Sequence, residues 1–183
     1  NMSDIALLRA LEAEKIKRSK EKFYRMYPAT GQYPRTGYPK HMEVIRLSAT
    51  KPYIAFLGGN GVGKTELACY IATCHATGLY PDWWDGWKLE KPSPGAVIIM
   101  VGENWGDTRK TVQLKLLGSD QAIGTGILPG ALFTLGPKVS GSDAYSNVLV
   151  KHVSGAITTI QFKNYAQGRE GFQGFEADYI SLD

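Results

Sequence analysis

Short apolar runs recur along the 183-residue chain and predict the strands of a sheet. The run Ala96–Val101 is continuously apolar, which indicates a strand buried on both faces. Two later runs flank Ser154-Gly155 and therefore predict a β-hairpin. The predicted strands are Tyr53–Leu57, Gly95–Val101, a short one near Leu132, the hairpin pair Val148–Val153 and Ala156–Phe162, and Tyr179–Asp183.

Helical periodicity occupies the segments between these runs. Ser3 is a suitable N-cap for the first helix, in which Ile5, Leu8, Leu11, Ile16 and Phe23 form a loose apolar stripe. The segment between residues 27 and 40 is rich in Pro, Gly and Tyr and predicts irregular structure. The predicted helices are Asp4–Met26, His41–Ser48, Glu66–Ala76 ending at Gly78, and one starting at Asn104 or Asp107 and running to Leu117.

The order of strand, loop and helix, followed by another strand and helix, predicts an α/β fold. We expect a mainly parallel central sheet flanked by helices, with the hairpin as an antiparallel addition. A domain boundary is predicted near residue 50. It separates a basic helical appendage (1–50) from the α/β core (51–183).

Gly58 to Thr65 reads Gly-Gly-Asn-Gly-Val-Gly-Lys-Thr and matches the phosphate-binding pattern G-x-x-x-x-G-K-[ST]. Glycines let successive backbone N–H groups point inward at phosphate oxygens. The lysine then reaches the β- and γ-phosphates, and the following hydroxyl ligates Mg²⁺. The pattern predicts a fold of the P-loop NTPase type, with 51–183 as the ATPase core. It also predicts ATP and Mg²⁺ as cofactors. The predicted nucleotide-binding residues are Gly58, Gly59, Asn60, Gly61, Val62, Gly63, Lys64 and Thr65.

The apolar run that ends at Asp183 predicts a second half of this site. In P-loop proteins, a buried strand delivers an Asp to the Mg²⁺ from its C-terminal end. Thr65 and Asp183 are therefore the predicted metal ligands. In the branch that activates water with a carboxylate, a Glu general base follows this Asp. Because the sequence ends at Asp183, we expect a fragment that binds ATP and hydrolyses it slowly.

Charge is distributed unevenly along the chain. Residues 1–51 hold 11 Lys/Arg against 5 Asp/Glu, a balance of +6, while residues 52–183 hold 10 against 12, a balance of −2. The basic N-terminal part is compatible with nucleic-acid contact or with a solvated helix face. No run approaches the ~20 apolar residues of a membrane span. Cys69 and Cys74 are five apart on one helix, so free thiols are expected, as in a reducing cytoplasm.

Several further motifs occur in order along the chain. They are Phe56–Thr65, Thr77-Gly-Leu-Tyr-Pro81 with Trp83-Trp84-Asp-Gly86, Val97–Glu103 leading into Thr108-Arg-Lys-Thr111, and Ile160–Gly174 running into Asp183. Together they resemble the large terminase subunit of tailed bacteriophages, over about residues 38 to 183. The resemblance implies an ATPase motor that drives double-stranded DNA into a capsid. It also implies a capsid portal, a small terminase subunit and further copies in a ring as partners, within the host bacterial cytoplasm.

The resemblance implies roles for single residues. Lys64 and Asp183 take catalytic roles, and His41 lies where the family has an adenine-sensing Gln. Gly61 departs from the long polar residue that is common in the family loop. Arg169 is then the candidate arginine finger acting in trans; an ion pair with Glu170 or Glu176 is the alternative. The tryptophans Trp83, Trp84 and Trp87 are expected to pack the loop-following helix against the sheet, with stacking on DNA bases as the less favoured role.

Other functions remain open at this point. A helicase-like P-loop translocase and a nucleotide-binding assembly module that does not hydrolyse ATP fit the same loop. The sequence contains no paired-carboxylate pattern for nuclease chemistry, so we expect no DNA cleavage by these residues.

Overall fold

A computed structural model describes residues 2–90, 94–174 and 176–183. Short 3₁₀ turns at Arg35–Gly37, Gly130–Leu132, Tyr165–Gln167 and Arg169–Phe172 connect the longer elements. The longer elements are α1 (Met2–Lys20), α2 (Lys22–Arg25), α3 (Pro39–Ser48), α4 (Lys64–Thr77), β1 (Val97–Gly102), α5 (Trp105–Thr108), a π-helical turn (Arg109–Gln113), α6 (Leu114–Leu117), β2 (Phe133–Leu135), β3 (Asn147–Lys151), β4 (Ile157–Asn164) and β5 (Tyr179–Leu182).

The five strands form one mixed sheet in the order β2-β3-β4-β1-β5. β1 is the middle strand of the parallel part of the sheet. It pairs with β4 on one side and β5 on the other, so that Ile98 lies opposite both Ile160 and Tyr179. β3 pairs antiparallel with β4, and β2 pairs antiparallel with β3. The α/β class and the hairpin are confirmed. The prediction of a mainly parallel sheet is wrong. The turn after Lys151 makes β3 and β4 antiparallel, and the pairing of β2 with β3 is a second antiparallel one.

The predicted strand Tyr53–Leu57 is also wrong. The segment forms no strand with the other described residues, and Tyr53 and Leu57 are 92% and 90% exposed. Only Phe56 packs against the core, with its ring 5.6 Å from the ring of His41. An apolar run becomes a strand only where a neighbouring strand offers free backbone groups, and none of the described strands pairs with this segment.

Helix α1 packs little against the rest of the described chain. The helix forms as predicted, except that a break at Glu21 separates it from α2. In the loose apolar stripe, Ile5, Leu8, Leu11 and Ile16 are 52–60% exposed, whereas Phe23 on α2 is buried. Basic residues on the same helix, such as Lys15 and Lys17, favour solvent on several of its sides.

Helix α4 is the buried helix that packs on the sheet. It begins after Gly63 and ends before Gly78, both in the left-handed conformation that favours glycine. Cys69 and Cys74 are fully buried free thiols on this helix, as expected. Burial raises the pKa of Cys69, so this thiol stays protonated and unreactive.

The tryptophan segment packs as predicted on one end of α4. Trp83 stacks on Tyr70, while Trp84 and Trp87 contact the ring of His75 at 6.0 and 5.1 Å. His75 in turn touches Tyr179 of β5, at 4.9 Å between ring centroids. None of the helices in the described ranges combines the length and the apolar composition needed to cross a bilayer.

Candidate functional site

The glycine-rich loop Gly58–Thr65 and the end of β5 meet at the carboxyl edge of the parallel strands. Backbone pairing continues one residue beyond β5, since the Asp183 N–H donates to the Val101 carbonyl at 3.0 Å. The Thr65 hydroxyl donates to Asp183 Oδ1 at 2.7 Å. The predicted proximity of Thr65 and Asp183 is therefore confirmed, although the strand expected before the loop is absent.

Two glycines of the loop have left-handed backbone. Gly61 and Gly63 have φ of +85° and +81°, where a residue with a Cβ atom is strained. Lys64 is the first residue of α4, and its ammonium donates to the carbonyls of Gly58 and Gly59 at 2.8 and 2.9 Å. The ammonium thus lies across the start of the loop, at the N-terminal end of a 14-residue helix whose dipole favours anions.

The oxygen atoms at this edge suit Mg²⁺ that is shared with a phosphate ligand. Mg²⁺ is usually held by one or two carboxylates together with substrate phosphates and water. Thr65 and Asp183 supply one hydroxyl and one carboxylate within 2.7 Å of each other. No group of three or more His, Cys, Asp or Glu that could hold a metal ion occurs among the described residues.

A cavity of about 1310 Å³ lies between the loop and the N-terminal segment of the chain. Gly61–Gly63 form one wall, while Lys17, Lys20 and Arg25 bring positive charge from α1 and α2. Lys22 also lines it, and its ammonium pairs with Glu66 Oε1 at 2.6 Å. This hydrogen bond lowers the pKa of Glu66, which keeps the carboxylate charged next to the loop. The cavity is large enough for a nucleoside and is electropositive on one side.

His41 connects this N-terminal wall to the loop. Its Nε2 lies 2.9 Å from the Val62 carbonyl, and its Nδ1 lies 2.8 Å from the Tyr27 hydroxyl. Because a carbonyl can only accept, Nε2 carries the proton and Nδ1 accepts from Tyr27. Both ring nitrogens therefore have partners inside the protein. The predicted adenine contact of His41 stays a prediction.

Sequence reasoning missed Tyr27 altogether. Its hydroxyl is buried, and the residue has φ of +54°, the one positive φ recorded for a non-glycine residue in the described ranges. Such a backbone conformation is uncommon outside Gly, Asn and Asp and persists where the surroundings hold it. The signal in the sequence was weak, since Tyr27 stands in a Pro- and Gly-rich segment without periodicity.

Arg169 lies apart from these contacts in the turn Arg169–Phe172. It is exposed, and within the described ranges its guanidinium makes no hydrogen bond or ion pair. The alternative pairing with Glu170 or Glu176 is thus not formed. The expected role in trans stays a prediction, because a single chain does not test it.

The fold and the site together define an α/β protein in which a glycine-rich loop contacts an aspartate at the end of a parallel strand. A family profile described as the N-terminal part of the T4likevirus-type terminase large subunit matches residues 55–183, and the chain belongs to that family. It is also similar to the terminase large subunit of Salmonella phage P22, with 28% identity over 95% of this chain. The chain spans 37% of the length of that relative. No solved structure matches it significantly.

Proposed function

We propose that this chain is the nucleotide-binding part of an ATPase motor that packages DNA into a phage capsid. The observation that carries the proposal is the 2.7 Å contact between Thr65 and Asp183 beside the left-handed turns at Gly61 and Gly63. This contact brings together a glycine-rich loop, a hydroxyl and a carboxylate, which are the groups that hold Mg²⁺ and phosphates in P-loop proteins. Family membership and the printed name of the P22 relative support the link to packaging.

In the proposed site, backbone N–H groups between Gly58 and Lys64 donate to the phosphates. Lys64 exchanges the carbonyls of Gly58 and Gly59 for phosphate oxygens, which are better partners for an ammonium ion. Thr65 and Asp183 hold Mg²⁺, which supplies charge neutralisation when it is bound. The cavity beside Gly61–Gly63 takes the nucleoside.

The wider motor is part of the same proposal. Arg169 is exposed and without a protein partner in the described ranges, so its guanidinium is available to a neighbouring subunit's nucleotide. An arginine supplied in this way accelerates phosphoryl transfer by about 10³–10⁵ in other systems. The proposed partners are double-stranded DNA, the capsid portal, the small terminase subunit and further copies in a ring. The proposed location is the host bacterial cytoplasm.

Calorimetric titration of Lys64→Ala with MgATP tests the nucleotide site. We expect the variant to bind at least tenfold more weakly, because a charge-assisted contact contributes about 1.5–3 kcal/mol. Lys151→Ala is the matched control, since Lys151 is an exposed lysine on β3 outside the site. Equal affinity of the Lys64→Ala variant and the unmodified chain would contradict the proposal.

A further inference from the structure

The N-terminal segment contacts the glycine-rich loop through a short chain of hydrogen bonds. Tyr27 donates to His41 Nδ1 at 2.8 Å, and His41 Nε2 donates to the Val62 carbonyl at 2.9 Å. Val62 stands between Gly61 and Gly63, the two loop residues with left-handed backbone. The contact therefore reaches the loop between its two left-handed residues, whose backbone angles determine where the neighbouring N–H groups point.

The ring of His41 is held firmly from the protein side. It is 5% exposed, stacks on Tyr38 at 5.4 Å and meets the edge of Phe56 at 5.6 Å. It also lies directly on the loop, because a Cβ atom added at Gly63 would be 3.0 Å from His41 Cε1. Such a ring has little freedom to turn a nitrogen toward a ligand without breaking a hydrogen bond.

The donor at the far end of the chain is also fixed. Tyr27 is 5% exposed, and its ring contacts Tyr70 of α4 at 5.0 Å and Trp83 at 6.0 Å. Burial raises the pKa of its hydroxyl, so the group remains a proton donor. Tyr27 thus holds the His41 tautomer in which Nε2 donates to the loop.

We propose that His41 is a positioning residue, which acts through the Val62 carbonyl to hold the loop in its phosphate-binding shape, and that Tyr27 orients it. The proposal rests on the proposed nucleotide site. It goes beyond that site because it assigns His41 an effect on the phosphates instead of on the base. Preorganised N–H groups bind an anion without the cost of ordering the loop.

Titration with MgATP and with Mg²⁺–tripolyphosphate separates the two roles, since tripolyphosphate has no base. We expect His41→Ala to weaken both ligands by the same factor, about three- to tenfold, as the loss of a hydrogen bond to the loop predicts. His41→Gln should recover most of the affinity, because its amide nitrogen can donate to the Val62 carbonyl. Tyr27→Phe should weaken both ligands about two- to threefold.

Tyr24→Phe is the matched control for Tyr27→Phe. Tyr24 belongs to the same segment and packs on Phe23, and its hydroxyl has no hydrogen-bond partner among the described residues. This variant should bind both ligands as the unmodified chain does. Thermal unfolding of every variant shows whether a change in affinity accompanies a general loss of stability.

The inference is overturned if His41→Ala weakens ATP but not tripolyphosphate, which would make His41 a reader of the base. It is also overturned if the unfolding midpoint falls while both affinities stay unchanged, or if His41→Gln recovers nothing. If the unmodified chain binds neither ligand, the proposed nucleotide site itself fails, and this inference fails with it.

Discussion

Asp183 is the residue whose charge we expect to decide how the proposed site responds to Mg²⁺. Its carboxylate lies 2.7 Å from the Thr65 hydroxyl, beside the loop proposed to hold the phosphates. In the proposed site, this charge would repel a triphosphate when no cation is present, and it would become a ligand when Mg²⁺ is bound. Asp183→Asn should therefore reduce the difference between ATP affinity in Mg²⁺ and in EDTA.

Calorimetry under both conditions measures that difference. Asp143→Asn serves as the control, because Asp143 is an exposed carboxylate that pairs with Lys138 away from the loop. An unchanged Mg²⁺ dependence in the Asp183→Asn variant would show that the metal is held elsewhere.

The burial of His75 should make the folded protein less stable in mild acid. The side chain is 1% exposed beneath Tyr80 and Trp84, and burial lowers its pKa from 6.5 to about 4. The unfolded chain therefore binds a proton between pH 6.5 and 4 that the folded chain does not bind. The contribution of His75 to the free energy of unfolding is therefore fully present above pH 6.5. It is lost as the pH falls from 6.5 to 4, by about 3 kcal/mol in total.

Urea unfolding of His75→Asn at several pH values isolates this contribution. Asn keeps an acceptor for the Tyr80 hydroxyl but cannot be protonated, so the variant should lose less stability between pH 6.5 and 5. Its stability at pH 7 is expected to be lower, because the smaller side chain leaves a cavity. The same slope in both proteins would contradict the assignment to His75.

Two apolar runs of similar composition end as different elements. Ile98–Val101 is buried and pairs on both sides, whereas Tyr53–Leu57 forms no strand and is exposed except at Phe56. Amide hydrogen exchange should therefore be faster by orders of magnitude at 53–57 than at 98–101, because exchange in paired strands requires opening of the sheet. Comparable protection of the two segments would show that 53–57 is paired in solution.

The contrast shows which elements the sequence could predict. The Asn104 cap of α5, the left-handed stop at Gly78 and the hairpin before β4 follow from local chemistry, and all are present. Whether an apolar run joins the sheet depends on its neighbours, which no local pattern contains. The Tyr27–His41–Val62 contact was missed for the same reason, since its members are 14 and 21 residues apart.

In the whole molecule, the N-terminal segment divides into an exposed part and a part that belongs to the core. Phe23, Tyr27 and Ile45 lie in the same buried cluster as the side chains of α4. By contrast, every side chain from Asp4 to Lys20 is exposed. The boundary predicted near residue 50 stays a prediction, but the core packing begins at Phe23.

Truncation can test this division. Removal of residues 1–20 should change the free energy of unfolding by no more than about 1 kcal/mol, since it loses mainly surface contacts such as that of Arg18 with Tyr24. Removal of residues 1–27 should cost several kcal/mol more, because loss of a buried aromatic side chain such as Phe23 typically costs about 3–5 kcal/mol. Urea unfolding of both shortened chains measures the two steps. A large loss already on removal of residues 1–20 would mean that α1 packs on the body of the protein in solution.

The 1–20 truncation should also retain the Tyr27–His41–Val62 contact, so its affinity for tripolyphosphate should exceed that of the 1–27 truncation.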